Sequence, residues 1–97
     1  MFGLRDSDIL SIRKTFSEYP QVEKVVIFGS RVLGNYKNGS DVDLAIYGKS
    51  VHTFIHKLSF SLNEESLMPY KFDLVDFAII NNDDLINHIE IKGIQIC

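Results

Sequence analysis

The sequence has little of what a disulfide-bonded, membrane-spanning or DNA-binding protein requires. Its only cysteine is Cys97, the last residue, so no disulfide can form within the chain. Acidic residues outnumber basic ones by 13 to 10, and the formal charge of −3 argues against nucleic-acid binding through a basic surface. No apolar run is long enough to span a membrane, and the first residues lack the pattern of a signal peptide. We therefore expect a soluble cytoplasmic protein with no membrane contact and no direct binding of nucleic acid.

The apolar pattern predicts a single α+β domain over residues 1–97. Helices are predicted at 6–19, 50–63 and 83–91, with Asp6 or Ser7 capping the first and Asn82 the last. Strands are predicted at 23–28, 42–47, 71–77 and 94–96, with one short helical turn at 31–34. The order of these elements favours a sheet whose helices pack on one face. The opposite face is then where the chemistry is expected.

Two aspartates one residue apart open the second predicted strand. Because side chains alternate along a strand, Asp41 and Asp43 share one face, and the apolar residues from Val42 onward occupy the buried face. Two carboxylates about 4 Å apart repel each other by roughly 4 kcal/mol at an effective dielectric constant near 20. A shared divalent cation relieves this repulsion, and carboxylate oxygens suit Mg²⁺. The pair therefore predicts a metal site.

A glycine–serine turn precedes the two aspartates at a defined spacing. Gly29 and Ser30 directly follow the first predicted strand, and the combined pattern is G-S-x10-D-x-D. Gly29 has no Cβ, so a phosphate can approach its backbone closely, and Ser30 adds a hydroxyl donor. Glycine followed by serine occurs at many turns by chance. The spacing to the acidic pair makes this turn a candidate phosphate site.

The third predicted strand supplies one more carboxylate, and strand alternation selects which. If Phe72 and Leu74 pack on the helices, Asp73 lies on the same face of the sheet as the two earlier aspartates. Asp76 would then point toward the core or lie past the regular part of the strand. The alternation favours Asp73 as the third acid of the site.

Residues 29–46 read G-S-R-V-L-G-N-Y-K-N-G-S-D-V-D-L-A-I. This stretch resembles the signature of the DNA polymerase β-like nucleotidyltransferase superfamily. The short chain makes it similar to the minimal nucleotidyltransferases (MNT), which are often encoded beside a HEPN-domain protein. The resemblance covers nearly the whole chain and implies the nucleotidyltransferase fold, with a mixed sheet of four to five strands. One departure is at Val32 and Leu33, where many members carry alanine and arginine.

The resemblance implies two roles for five residues. Nucleotide binding is expected of Gly29 and Ser30, while catalysis and the binding of two Mg²⁺ ions are expected of Asp41, Asp43 and Asp73. Arg31, next to Ser30, is expected to add positive charge to the nucleotide-binding site. The implied reaction is transfer of a nucleotide from ATP to a hydroxyl group. In that reaction Asp73 would hold one metal and help to remove the proton of the acceptor.

The acceptor is the part of the reaction that the sequence leaves open. The chain is used up in building a sheet and its covering helices, so a partner protein or a homodimer would have to complete the site. The resemblance implies a HEPN toxin as partner, silenced when this antitoxin transfers AMP to one of its tyrosines. Transfer to a small molecule such as an aminoglycoside is the alternative among enzymes. A binding-only antitoxin without catalysis is the alternative outside them, although clustered carboxylates without metal would cost it stability.

Other polar residues have simpler interpretations. His52 and His56 have the spacing of a zinc pair on a helix, but no third ligand lies nearby in the sequence, which favours an ordinary polar face. Lys37 is interpreted as a surface cation. Asp83 and Asp84 fall in the first turn of a helix, where the helix dipole favours acids, and no catalytic role is predicted for them.

Overall fold

The structure is a computed structural model and describes all residues from 1 to 97. It contains four α-helices and four β-strands, joined in places by short 3₁₀ turns. The helices are α1 (Asp6–Ser17), α2 (Ser30–Leu33), α3 (Ile55–Phe60) and α4 (Asp83–Lys92). The strands are β1 (Val22–Phe28), β2 (Val42–Gly48), β3 (Phe72–Asp76) and β4 (Ile94–Gln95). The α+β class and the element order expected from the sequence are confirmed.

The four strands form one mixed sheet in the order β3-β2-β1-β4. β1 pairs with β2 and with β4 in antiparallel fashion, whereas β2 and β3 run parallel. The parallel pair is possible because α3 lies in the connection between β2 and β3 and returns the chain to the same end of the sheet. As a result, β2 and β3 both begin at the end of the sheet where β1 terminates.

The larger core lies between the sheet and the helices α1 and α3. Ile9, Ile12 and Phe16 recur at helical spacing along one side of α1 and are buried there. From the sheet, this core receives the alternate residues of β1 and β2, Val25, Ile27, Val42, Leu44 and Ile46. The burial of every second residue fixes which side chains of β2 face away from α1 and α3.

A second, smaller core lies on the opposite face of the sheet. Val26, Phe28 and Ala45 pack there against Ile89 of α4. The helices are thus not confined to the single face expected from the sequence, because α4 covers part of the other. The reason is in β1, whose central residues are apolar on both sides and need cover on both.

Local differences from the sequence-based boundaries are small and have identifiable causes. The backbone N–H and the side chain of Arg5 donate to Asp8, so Arg5 rather than Asp6 or Ser7 is the capping residue of α1. The predicted helix 50–63 begins as a 3₁₀ turn, becomes regular at α3 and ends in a π-helical turn, Ser61–Glu65. Asn82 caps α4 as expected, accepting a hydrogen bond from the Leu85 N–H. No helix is long and apolar enough to cross a bilayer.

Candidate active site

The three predicted carboxylates meet where β1 ends and β2 and β3 begin. Asp43 of β2 pairs with Phe28, the last residue of β1, on one side and with Asp73 of β3 on the other. In a parallel pair, residues in register project to the same face, so Asp43 and Asp73 lie side by side. Asp41 precedes β2 by one residue and lies close enough to Asp43 to act on its charge.

This cluster lies on the face of the sheet that α4 partly covers. Asp43 alternates with the buried residues Val42 and Leu44, which face α1 and α3. It therefore shares its face with Ala45, which packs on α4. The three acids lie at one end of this face, beyond the part that α4 covers.

Gly29 brings the turn after β1 directly against Asp43. Its backbone has φ 82° and ψ −155°, a region that only glycine adopts readily. A Cβ built on Gly29 would collide with the Oδ2 atom of Asp43. Glycine is favoured here by its dihedral angles, and a larger residue would also force the Asp43 carboxylate to move.

Ser30 and Arg31, which open α2, carry donors that are not used within the fold. The N–H groups of Ser30 and Arg31 donate no backbone hydrogen bond, and the Ser30 hydroxyl makes none. The carbonyl group of Gly29 accepts from the N–H groups of Val32 and Leu33 instead, which holds the turn in shape. Three free donors thus lie next to the acidic cluster, where an anionic group could accept from them.

Burial and the neighbouring charges of the cluster act together on the carboxyl of Asp43. Burial raises the pKa of the Asp43 carboxyl, and the negative charges of Asp73 and Asp41 raise it further. His88 and Arg31 act in the opposite direction and lower the pKa in part. A raised pKa is what like charges produce when they share a site without a counter-ion.

Asp76 lies apart from this cluster. It is paired with Ile46 across the parallel ladder, faces the helices α1 and α3, and is only 5% exposed. Its Oδ1 atom accepts a hydrogen bond of 3.1 Å from the Ala78 N–H and so starts the 3₁₀ turn after β3. His52 Nδ1 lies 3.9 Å from the other carboxylate oxygen. Asp73, rather than Asp76, is the β3 residue beside Asp43, as strand alternation predicts.

The side chain of Arg31 forms its hydrogen bonds within the fold and not at the turn where the free donors lie. It is only 4% exposed, and its two terminal nitrogens donate to the carbonyl groups of Phe2 and Ser40, each at 2.9 Å. The guanidinium lies over the rings of Tyr36 and Tyr70, with centroids 5.1 and 5.2 Å away. This placement favours a structural role for the side chain over the predicted contact with nucleotide, to which Arg31 can still offer its backbone N–H.

His88 is a residue of the site that the sequence did not reveal. It projects from α4, and its Nε2 atom accepts a hydrogen bond of 2.8 Å from the Gly29 N–H. The two residues are 59 positions apart, so no local pattern links them. The sequence feature that could have indicated His88 is its position directly before Ile89, the buried residue of α4.

The residues present fit a divalent cation by their chemistry. Asp43 and Asp73 lie side by side with Asp41 nearby, and carboxylates are hard oxygen ligands; burial and the charges of Asp73 and Asp41 raise the pKa of Asp43, and a cation would neutralise that charge. No three acidic, histidine or cysteine side chains converge into a complete metal cluster on their own. Mg²⁺ commonly binds through one or two carboxylates together with substrate phosphates. The free donors of the turn lie beside Asp43, where a phosphate could accept from them.

Comparison with known proteins gives one family and several similar structures. The family model described as polymerase beta, nucleotidyltransferase, matches residues 11–97. A crystal structure of a toxin–antitoxin complex with AMP-PNP is 21% identical, with a TM-score of 0.68, and the match covers 97% of this chain and 73% of that one. No curated protein matches the chain by sequence at a significant level.

Two further structures with the same fold are also toxin–antitoxin complexes. One is the MntA-HepT pair, 19% identical with a TM-score of 0.66, covering 96% of this chain and 72% of that one. The other is a tri-AMPylated HEPN toxin of Shewanella oneidensis in complex with its MNT antitoxin, 19% identical with a TM-score of 0.67, covering 97% and 72%. At these identities the likeness shows the fold.

Proposed function

The chain belongs to the polymerase beta nucleotidyltransferase family, and from this premise we propose that it transfers AMP from ATP to a tyrosine of a HEPN-domain toxin. Nucleotidyl transfer itself follows from the family. The donor, the metal and the acceptor are the proposed parts. The observation that carries the proposal is the register of the parallel pair, which sets Asp73 beside Asp43.

The turn after β1 is the proposed site of the triphosphate. Ser30 offers its hydroxyl and its N–H, and Arg31 offers its backbone N–H, all free of partners in the fold. Gly29 contributes by shape, because the absent Cβ leaves room for Asp43. Donors held in place before the reaction align the α-phosphorus for attack without further reorganisation.

Asp41, Asp43 and Asp73 are the proposed catalytic residues. These carboxylates would hold two Mg²⁺ ions, which would supply neutralisation of the phosphate charge. Asp73 accepts the proton of the tyrosine hydroxyl as that oxygen forms a bond to the α-phosphorus. The bond from the α-phosphorus to the bridging oxygen breaks, and pyrophosphate leaves. The products are pyrophosphate and a tyrosine that carries AMP.

The choice of a protein acceptor is supported by the likeness of the chain to antitoxins of known structure. The similar structures contain an antitoxin and a toxin, and in one of them the HEPN toxin is tri-AMPylated.

The proposal is tested by mass spectrometry of a HEPN partner incubated with this protein, ATP and Mg²⁺. We expect a mass increase of one AMP on a tyrosine. The matched controls are Ser30→Ala, which removes the hydroxyl donor, and Asp41→Asn, which removes one carboxylate. Neither should modify the partner.

Two results would contradict the proposal. If an aminoglycoside accepts the label from ATP and the partner does not, the acceptor is a small molecule. If the partner stays unmodified and both variants neutralise it as well as the wild type, the protein acts by binding alone.

A further inference from the structure

His88 connects α4 to the turn that carries the free donors. Its Nε2 atom accepts from the Gly29 N–H at 2.8 Å, and its ring meets Phe28 edge to face, with centroids 6.0 Å apart. In this contact the backbone N–H is the donor and the imidazole nitrogen is the acceptor. The next residue, Ile89, is 1% exposed and holds this part of α4 on the sheet.

The bond to His88 decides which backbone groups of the turn remain free. The Gly29 N–H is engaged by His88 of α4, while the N–H groups of Ser30 and Arg31 stay available. Gly29 has φ 82° and ψ −155°, and because glycine can adopt many other conformations, the hydrogen bond to His88 restricts its peptide group. The imidazole is the only hydrogen-bonding partner of that N–H.

We propose that His88 is a positioning residue for nucleotide transfer, holding Gly29 so that Ser30 and Arg31 present their donors to the phosphates. His88 acts through Gly29 and does not touch the substrate. Without the acceptor on α4, the Gly29 peptide is free to rotate toward the site, and the two free N–H groups lose their common direction. This inference rests on the proposed function, since it concerns the binding of the same triphosphate.

Two substitutions separate the hydrogen bond from the packing of the ring. His88→Gln keeps an acceptor oxygen near the position of Nε2, whereas His88→Phe keeps the ring and its edge-to-face contact but has no acceptor. The dissociation constant for Mg²⁺–ATP is measured by calorimetry on the full chain. We expect His88→Phe to bind about fivefold to tenfold more weakly, the loss that one hydrogen bond accounts for. His88→Gln should bind within about twofold of the wild type.

A spectroscopic measurement tests the geometry independently of binding. In ¹⁵N-labelled wild type, a through-hydrogen-bond coupling is expected between the Gly29 amide nitrogen and His88 Nε2. In His88→Phe, the amide resonances of Ser30 and Arg31 should shift, while those of the α1 core should not. A global loss of structure would instead move all of them.

The outcomes distinguish the inference from the proposed function. If the wild type binds no Mg²⁺–ATP, the proposed function fails, and the role of His88 falls with it. If the wild type binds and both variants bind equally well, only the inference is wrong. If both variants bind equally weakly, the ring itself matters and the hydrogen bond does not, which also contradicts the inference.

Discussion

The carboxyl of Asp43 is affected both by burial and by the charges of two neighbouring aspartates. Burial, Asp73 and Asp41 all raise the pKa of its carboxyl. An acid whose pKa is higher in the folded state contributes stability while it is protonated, and that contribution is lost as the pH rises through the folded pKa. At neutral pH without metal, the charged Asp43 therefore lowers the free energy of unfolding.

The substitution Asp43→Asn is expected to raise the melting temperature by a few degrees at pH 7 without metal. The gain should shrink as the pH falls, and should vanish below about pH 3, where Asp43 is protonated in both the folded and the unfolded state. The measurement is thermal unfolding of wild type and variant across this pH range. A gain that stays constant with pH would mean that charge is not its cause.

The same variant tests the metal. Mg²⁺ with ATP should raise the melting temperature of the wild type, since a ligand at about 100 times its dissociation constant stabilises the folded state by about 2.7 kcal/mol. Asp43→Asn should lose this effect. Equal shifts in wild type and variant would exclude Asp43 from the metal site.

Gly29 and Gly34 share a positive φ but differ in ψ and in the space that a Cβ would have, so replacing them with alanine should carry different costs. Both have φ 82°, but a Cβ on Gly34 meets nothing within 4 Å, whereas one on Gly29 meets the Asp43 carboxylate. We expect Gly34→Ala to lower the free energy of unfolding by about 1 kcal/mol. Gly29→Ala should cost about 2–3 kcal/mol or more, because its ψ of −155° is also disfavoured for alanine. Urea denaturation of both variants measures the difference, and equal losses would rule out the contact with Asp43.

Within the strand β3, Asp73 and Asp76 point to opposite faces of the sheet. Asp73 lies beside Asp43, and Asp76 caps the turn that follows the strand. Asp73→Asn is expected to abolish nucleotidyl transfer with the fold intact, because the Asp73 side chain is exposed; loss of its repulsion with Asp43 should raise the melting temperature slightly. Asp76→Asn should keep activity within about tenfold or else lower stability.

Activity and thermal unfolding are measured on both variants in parallel. If Asp76→Asn were inactive and Asp73→Asn active, the catalytic carboxylate would lie on the other face of β3. The register of the parallel pair would then be shifted by one residue from the one described here.

At the scale of the whole molecule, the sheet supports a core on each side and should unfold as one unit. Ile89 of α4 is 1% exposed and belongs to the smaller core, while Ile91 on the same helix is 74% exposed. Ile89→Ala should lower the free energy of unfolding by about 2–5 kcal/mol, through lost burial and a cavity. Ile91→Ala should change it by no more than about 0.5 kcal/mol.

The transition is followed by far-UV circular dichroism and by tyrosine fluorescence in urea. Coincident curves are expected for the wild type and both variants, because β1 contributes residues to both cores. Separate transitions in Ile89→Ala would show that α4 unfolds on its own.

The sequence by itself determined the features that depend on local geometry. Alternation along a strand predicted that Asp73 and not Asp76 would lie beside Asp43, and the pairing of β2 with β3 has this register. The spacing G-S-x10-D-x-D predicted that the turn at Gly29 would meet the acids. Such patterns can be read directly because a strand has a period of two and a turn needs particular residues, whatever the rest of the chain does.

Only the tertiary structure decided which distant groups complete the site. Arg31 looked like a phosphate ligand in the sequence, but its side chain is bonded to Phe2 and Ser40, and its neighbours do not reveal this. His88 meets Gly29 because α4 covers the second face of the sheet, which no periodicity within α4 indicates. Amphipathic patterns say which side of an element is buried, but not against which surface. That choice depends on how all the apolar faces are covered together, and it is made only when the chain packs.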